Sequence, residues 1–155
     1  MHLQATLSAL IPFALALTAC SSTPDPKSPK AQAAALVKAA AEPGAIKTST
    51  GLIYKELTPG TGPSPHGNDT VKVQYKGALT DGTEFDSSYK RGEPASFPLN
   101  GVISCWSEGV QMMKVGGKAR LTCPAALAYG DAGSPPAIPP GATLTFEIDL
   151  LSMGT

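Results

Sequence analysis

The sequence predicts an α+β domain, an antiparallel sheet with one short helix packed on it, preceded by about 45 residues of different character. Three observations carry this prediction. Four stretches alternate apolar and polar side chains with period two. One stretch alone places its large apolar residues at helical spacing. Gly, at 16, and Pro, at 15, are too frequent in 155 residues for a helical bundle or a coiled coil.

Composition narrows the function classes. The hydrophobic share of 42% is enough for one core. Twelve Lys and Arg balance twelve Asp and Glu, a formal net charge of +0, so the chain lacks the clustered basic footprint of a nucleic-acid binder and none is expected as a partner. Three cysteines and two widely spaced histidines do not make a structural zinc site, and no metal or cofactor is expected.

Taken in order, residues 3 to 19 are nearly all apolar or small, but Gln4, Ser8 and Pro12 interrupt them. A spanning helix needs about 20 predominantly apolar residues. The run ends in Leu17-Thr18-Ala19-Cys20 and is followed by Ser21-Ser22-Thr23-Pro24. It resembles a bacterial lipoprotein signal peptide over residues 1–19, with Cys20 as the lipidated residue. That resemblance implies cleavage before Cys20 and a lipid anchor in the membrane. Ser21, rather than Asp, after the cysteine favours the outer membrane. Residues 20–45 read as a tether. SSTPDPKSPK (21–30) holds three prolines and no large apolar group, which suits an extended segment. AQAAALVKAAAE (31–42) is rich in helix formers but offers only Leu36 and Val37 for burial. A semi-ordered spacer is preferred there over a dimerising helix, and the chain is expected to be a monomer. Fully extended, residues 21 to 45 would reach at most about 80 Å at ~3.3 Å per residue.

The domain is expected over residues 46–155. Leu52 to Leu57 is a first strand candidate. Val71, Val73, Tyr75 and Leu79 alternate with Lys72, Gln74, Lys76 and Ala78, and Asp81-Gly82 then signals a turn. Ala119, Leu121 and Cys123 alternate with polar residues, as do Leu144, Phe146, Ile148 and Leu150. Between them Trp106, Val110 and Met113 fall at i, i+4 and i+7, one face of a helix. Ser104 is placed to cap that helix and Gly116-Gly117 to end it.

Six pieces then occur in order: Val71-Lys-Val-Gln-Tyr75-Lys-Gly77, Asp81-Gly82-Thr-Glu-Phe85-Asp86-Ser87-Ser88, Val102-Ile103-Ser-Cys-Trp106-Ser-Glu-Gly109, Gly117-Lys-Ala-Arg-Leu121, Leu127-Ala128-Tyr129-Gly130 and Ile138-Pro139-Pro140-Gly-Ala-Thr-Leu144-Thr-Phe146. Together they resemble the FKBP-type peptidyl-prolyl cis-trans isomerases over residues 46 to 153. The resemblance implies a curved antiparallel sheet of five to six strands wrapped around one short helix, with a pocket between them. It implies prolyl isomerisation of exported or unfolded Pro-containing polypeptides, with a non-catalytic proline-binding module or chaperone on the same fold as the alternative.

The roles that follow from the resemblance are specific. Trp106 forms the pocket floor, and Tyr75, Phe85 and Phe146 line the walls with Val102 and Ile103. The Ile103 N–H and the Tyr129 hydroxyl hold substrate carbonyls. Asp86 bonds Tyr75 and Arg91. The loop from Asp131 to Pro140 overhangs the pocket, with Ile138 as its apolar contact. Plain core packing is the alternative for the apolar set. Ala95, Ser134 and Ala137 depart from the best-known cytosolic pattern, which has a large aromatic, a histidine and an aliphatic residue there. Macrolide inhibitors are therefore expected to bind, but weakly. With Cys20 lipidated, Cys105 and Cys123 remain, an even number in an oxidising compartment. A disulfide between them is preferred over two buried thiols.

Overall fold

The computed structural model describes residues 25–154. The signal sequence expected at 1–19 and the lipidated Cys20 lie outside the described residues. The chain begins with helix α1 (Pro29–Ala40), followed by strands β1 (Ala45–Lys47), β2 (Ile53–Thr58), β3 (Thr70–Leu79) and β4 (Glu84–Ser87). A one-turn helix α2 (Ser88–Arg91), strand β5 (Ala95–Pro98), helix α3 (Ser104–Gln111) and strands β6 (Lys118–Cys123) and β7 (Leu144–Gly154) complete it. All strand pairings are antiparallel, in the order β1-β2-β6-β7-β3-β4, with β5 also pairing β3.

The sheet has seven strands, where five to six were expected. The four expected strands are β2, β3, β6 and β7. The additional ones are three or four residues long, too short to show an alternation. β3 and β7 form the centre, with Val73 opposite Leu150, Tyr75 opposite Ile148, Gly77 opposite Phe146 and Leu79 opposite Leu144. Period two therefore sends Val71, Val73, Tyr75, Phe146, Ile148 and Leu150 to one face, where all are buried. α3 lies on that face and buries Cys105, Trp106, Gly109 and Val110. Met113 is also buried, although it falls just beyond the helix. Ser104 is not the cap: it is the first helical residue. Ile103 stands at the cap with extended dihedrals, its carbonyl accepting from the Trp106 and Ser107 amides. Close approach of α3 to β6 requires Gly109, since a Cβ there would come within 2.6 Å of the Leu121 methyls. Cys105 and Cys123 form a disulfide that joins the same two elements.

The other face of the sheet carries charge. Lys76 and Arg120 both pair with Glu147, at 3.1 and 3.2 Å, and each stands opposite it in register. Lys55 and Arg120 are also register partners, a like-charge pair that destabilises a ladder if left alone. Glu42 lies between them, accepting from Lys55 at 2.7 Å and Arg120 at 3.2 Å.

That contact corrects the reading of residues 31–42 as a semi-ordered spacer. They form most of α1, whose end is held to the sheet through Glu42. Ser28 caps its start, accepting from the Ala31 N–H at 3.2 Å, and Pro29 occupies the first turn. What packs is polar: Gln32 is the buried residue of the helix, and Val37 remains 69% exposed. An apolar count could not detect such docking.

Candidate active site

The site is a cavity of about 390 Å³ on the helix-bearing face of the sheet. Its floor is Trp106, delivered by the first turn of α3 and 4% exposed. Three rings stand nearly perpendicular to the indole: Tyr75 at 5.1 Å between centroids, Phe97 at 5.4 Å and Phe146 at 5.5 Å. Phe85 stands edge-on to Phe146 at 5.6 Å. Such edge-to-face pairs are worth about 0.5–1.5 kcal/mol each beyond area burial. The rings therefore brace one another into a box. Gly77 makes the box compatible with the sheet, because a Cβ there would lie 2.6 Å from Phe85 and 2.8 Å from Phe146.

One carboxylate reaches this apolar box, and it is fully engaged. Asp86 accepts from the Tyr75 hydroxyl at 2.5 Å and from Arg91 Nη1 at 2.5 Å. Arg91 Nη2 also donates to the Tyr75 hydroxyl at 3.0 Å, and its guanidinium lies 5.6 Å from the Tyr75 ring centroid. Partial burial pushes the Asp86 carboxyl upward, but the hydrogen bonds from Tyr75 and Arg91 outweigh it and hold it below the usual value of 3.8. Burial, with the Asp86 bond second, pushes the Tyr75 hydroxyl upward. At neutral pH the trio is thus an anion, a neutral phenol and a cation. α2 supplies the geometry: its single turn runs from Ser88 to Arg91 and returns the guanidinium toward Asp86.

Val102, Ile103 and Gly101 line the side between β5 and α3, and Tyr129 stands at the mouth, 40% exposed. Of the residues expected from the sequence, Tyr75, Phe85, Asp86, Val102, Ile103, Trp106, Tyr129 and Phe146 line this one cavity. Arg91 stands behind it, on Asp86. Ile138 does not reach it. It is 4% exposed in the core, because the turn closed by the Ser134–Ile138 bridge folds it inward. Phe97 was missed: Ala95, the noted departure, does not line the cavity, whereas Phe97 two residues later lines it and stands against Trp106. A four-residue strand behind Pro94 carries too little pattern to single it out. Gly101 was likewise not foreseen.

A family model described as FKBP-type peptidyl-prolyl cis-trans isomerase matches residues 62–151. The chain belongs to that family. Its FKBP domain is 53% identical over 116 residues to the FKBP-type peptidyl-prolyl cis-trans isomerase FkpA of Escherichia coli K12, covering 75% of this chain and 43% of that protein. It is 47% identical over 112 residues to the peptidyl-prolyl cis-trans isomerase Mip of Coxiella burnetii, covering 72% and 49%. The chain thus spans about half, or less, of the length of these curated relatives. Among solved structures, a peptidyl-prolyl cis-trans isomerase from Pseudomonas syringae pv. tomato superposes with a TM-score of 0.76 at 40% identity, covering 81% of this chain and 92% of that one. The crystal structure of E. coli FkpA gives 0.72 at 48% identity, covering 80% and 61%. The FKBP fold expected from the six sequence pieces is therefore the fold of this chain.

Proposed function

We propose that this FKBP domain accelerates cis–trans isomerisation of X-Pro bonds in exported or unfolded polypeptides. The observation that carries the proposal is the aromatic box over Trp106, with its one carboxylate already paired. An X-Pro bond isomerises over tens to hundreds of seconds, across a barrier of about 18–20 kcal/mol set by amide resonance. Twisting the bond removes that resonance and leaves a less polar, ketone-like carbonyl. A site that offers rings rather than water favours the twisted form over the planar one. Each 1.36 kcal/mol of such differential binding gives about tenfold in rate.

In this mechanism the proline ring rests on Trp106. The Tyr129 hydroxyl and the Ile103 N–H donate to substrate carbonyls on either side of the twisting bond. Asp86 and Arg91 hold the Tyr75 hydroxyl so that this wall presents its ring and not a competing donor. No bond to the protein forms, and no proton needs to move. Macrolides that mimic the twisted amide should enter the same box. Their affinity should fall below that of members with a large aromatic at the position of Ala95, since Ala95 brings no ring to the cavity.

The envelope location is likewise proposed, on the apolar run before Cys20. Among the described residues no helix is long and apolar enough to cross a membrane, so attachment would rest on the lipid. With α1 docked and the Pro26 carbonyl held by Gln32 and Thr80, at most residues 21–25 remain as leash. They span at most about 18 Å at ~3.3–3.6 Å per residue, in place of the 80 Å expected for an extended tether. The domain would then work close to the lipid surface.

The test is the rate of isomerisation of a panel of X-Pro peptides by the full chain in detergent, beside Tyr129→Phe. Acceleration by the parent, reduced in the variant, is expected. A folded parent without acceleration would leave the box as a binding site only.

A further inference from the structure

We propose that Gln32, on helix α1 and outside the domain expected from sequence, is a positioning residue for the catalytic loop. The inference rests on the isomerase reading above. The loop from Gly130 to Thr143 separates Tyr129 from β7, and its two ends are tied together. The Gly141 N–H donates to the Gly130 carbonyl at 3.0 Å, and the Gly133 N–H donates to the Tyr129 carbonyl at 3.1 Å. Tyr129, at the pocket mouth, is therefore placed by the backbone of this loop.

What holds the far end of the loop is not part of the sheet. Thr143, 2% exposed, donates its N–H to Gln32 Oε1 at 2.6 Å, across 111 residues of chain. The Gln32 amide nitrogen donates to the Pro26 carbonyl at 2.5 Å and to Thr80 Oγ1 at 3.3 Å. Thr80 also donates to the Pro26 carbonyl at 3.0 Å. One buried amide, 9% exposed, thus joins the entering chain, the β3–β4 turn and the root of the loop. Thr143 lies immediately before Leu144, which pairs with Leu79 at the end of the β3–β7 ladder. Cutting the Gln32 link frees the loop root where that ladder stops.

The geometry has a kinetic consequence. A donor that meets the substrate carbonyl equally in the planar and twisted forms contributes uniform binding, and losing its placement raises KM with kcat little changed. Were Gln32 only a support of the fold, its loss would lower the melting temperature and leave both constants alone at temperatures where the protein is folded.

The experiment compares the full chain in detergent with Gln32→Met, which keeps length without hydrogen bonds, and with Lys38→Ala on the same helix as control. KM for an X-Pro peptide should rise by roughly 3- to 10-fold in Gln32→Met with kcat within about twofold, and stay at the parent value in the control. Hydrogen exchange should quicken at the Thr143 and Gly141 amides. Gln32→Asn keeps the amide one methylene short and covers the case in which the Met variant does not fold. Its KM must also lie above that of the parent. A parent-like KM in the folded Gln32 variant overturns the inference, whatever the melting temperature does. Should the parent not accelerate isomerisation, the functional reading fails separately. The Thr143 and Gly141 exchange rates, with the Tyr129 ring resonances, then decide the positioning alone: unchanged values overturn it, and changes confined to the loop sustain it.

Discussion

Replacing Gly77 with alanine adds one methyl at the point where both wall phenylalanines rest on the sheet. The new carbon would lie 2.6 Å from Phe85 Cζ and 2.8 Å from Phe146 Cε1. Ordinary carbon contact starts at about 3.4 Å, so the rings must withdraw by roughly 0.8 and 0.6 Å. Neither can do so freely. Phe146 is braced against Trp106 at 5.5 Å, and Phe85 against Phe146 at 5.6 Å. Both rings also line the cavity, so the displacement is felt at the site. Overpacking of this kind costs about 1–3 kcal/mol of stability. A misplacement near 1 Å at a positioning surface can cost on the order of 100-fold in rate. Gly77→Ala is therefore predicted to lower kcat/KM for X-Pro peptides by roughly 10- to 100-fold while remaining folded, with a reduced urea midpoint. The assay is kcat/KM well below the melting temperature, beside a urea titration. A folded Gly77→Ala with kcat/KM within about twofold of the parent would refute the claim that ring placement governs the rate.

Other predictions address the groups around the box. Asp86→Asn keeps the shape but removes the charge facing Arg91. Because the two side chains are 41% and 46% exposed, the ion pair itself should contribute little to stability, yet activity should fall, because the amide keeps one acceptor oxygen where Tyr75 and Arg91 use two. The Asp86 pKa is depressed on folding, so its contribution is complete above the usual 3.8 and is lost as pH falls through the lower folded value. Urea midpoints of parent and variant should therefore converge in acid, and an unchanged gap there would contradict the assignment. Glu42→Gln should act the same way on the α1 contact, since the Lys55 hydrogen bond leads the lowering of its pKa from 4.5. Its effect should likewise vanish in acid, and a loss of stability that persists there would count against the Glu42 ion pairs. The Cys105–Cys123 disulfide closes a loop across a sequence separation of 18. Its removal as Cys105→Ala with Cys123→Ala should cost about 3 kcal/mol on the chain-entropy model. Two free thiols at these positions in denatured, oxidised protein would contradict the bridge.

How much of this could be read in the chain depends on how many residues carry each signal. β3 and β7 were legible because eleven or fewer residues still repeat one buried face several times, as Val71, Val73 and Tyr75 do. β1, β4 and β5 were not, since three or four residues cannot establish a period. The floor and most walls of the site were legible because Trp106, Phe85-Asp86 and Tyr129 sit inside distinctive local motifs. Phe97 was not singled out, and Ile138 was misplaced, for the same physical reason: a short turn or strand decides which way one side chain faces, and no neighbour repeats the signal. The docking of α1 was invisible because it runs through Gln32 and Glu42. Polar contacts over 78 and 111 residues leave no trace in local hydrophobicity.

This one cavity is proposed to lower the barrier to rotation about an X-Pro bond. Exchange spectroscopy on an X-Pro peptide at equilibrium, with catalytic amounts of the full chain in detergent, measures that rotation with no coupled reaction. Faster cis–trans exchange is expected with the parent, reduced by Tyr129→Phe and by Asp86→Ala. Exchange at the uncatalysed rate in the presence of folded parent would contradict it.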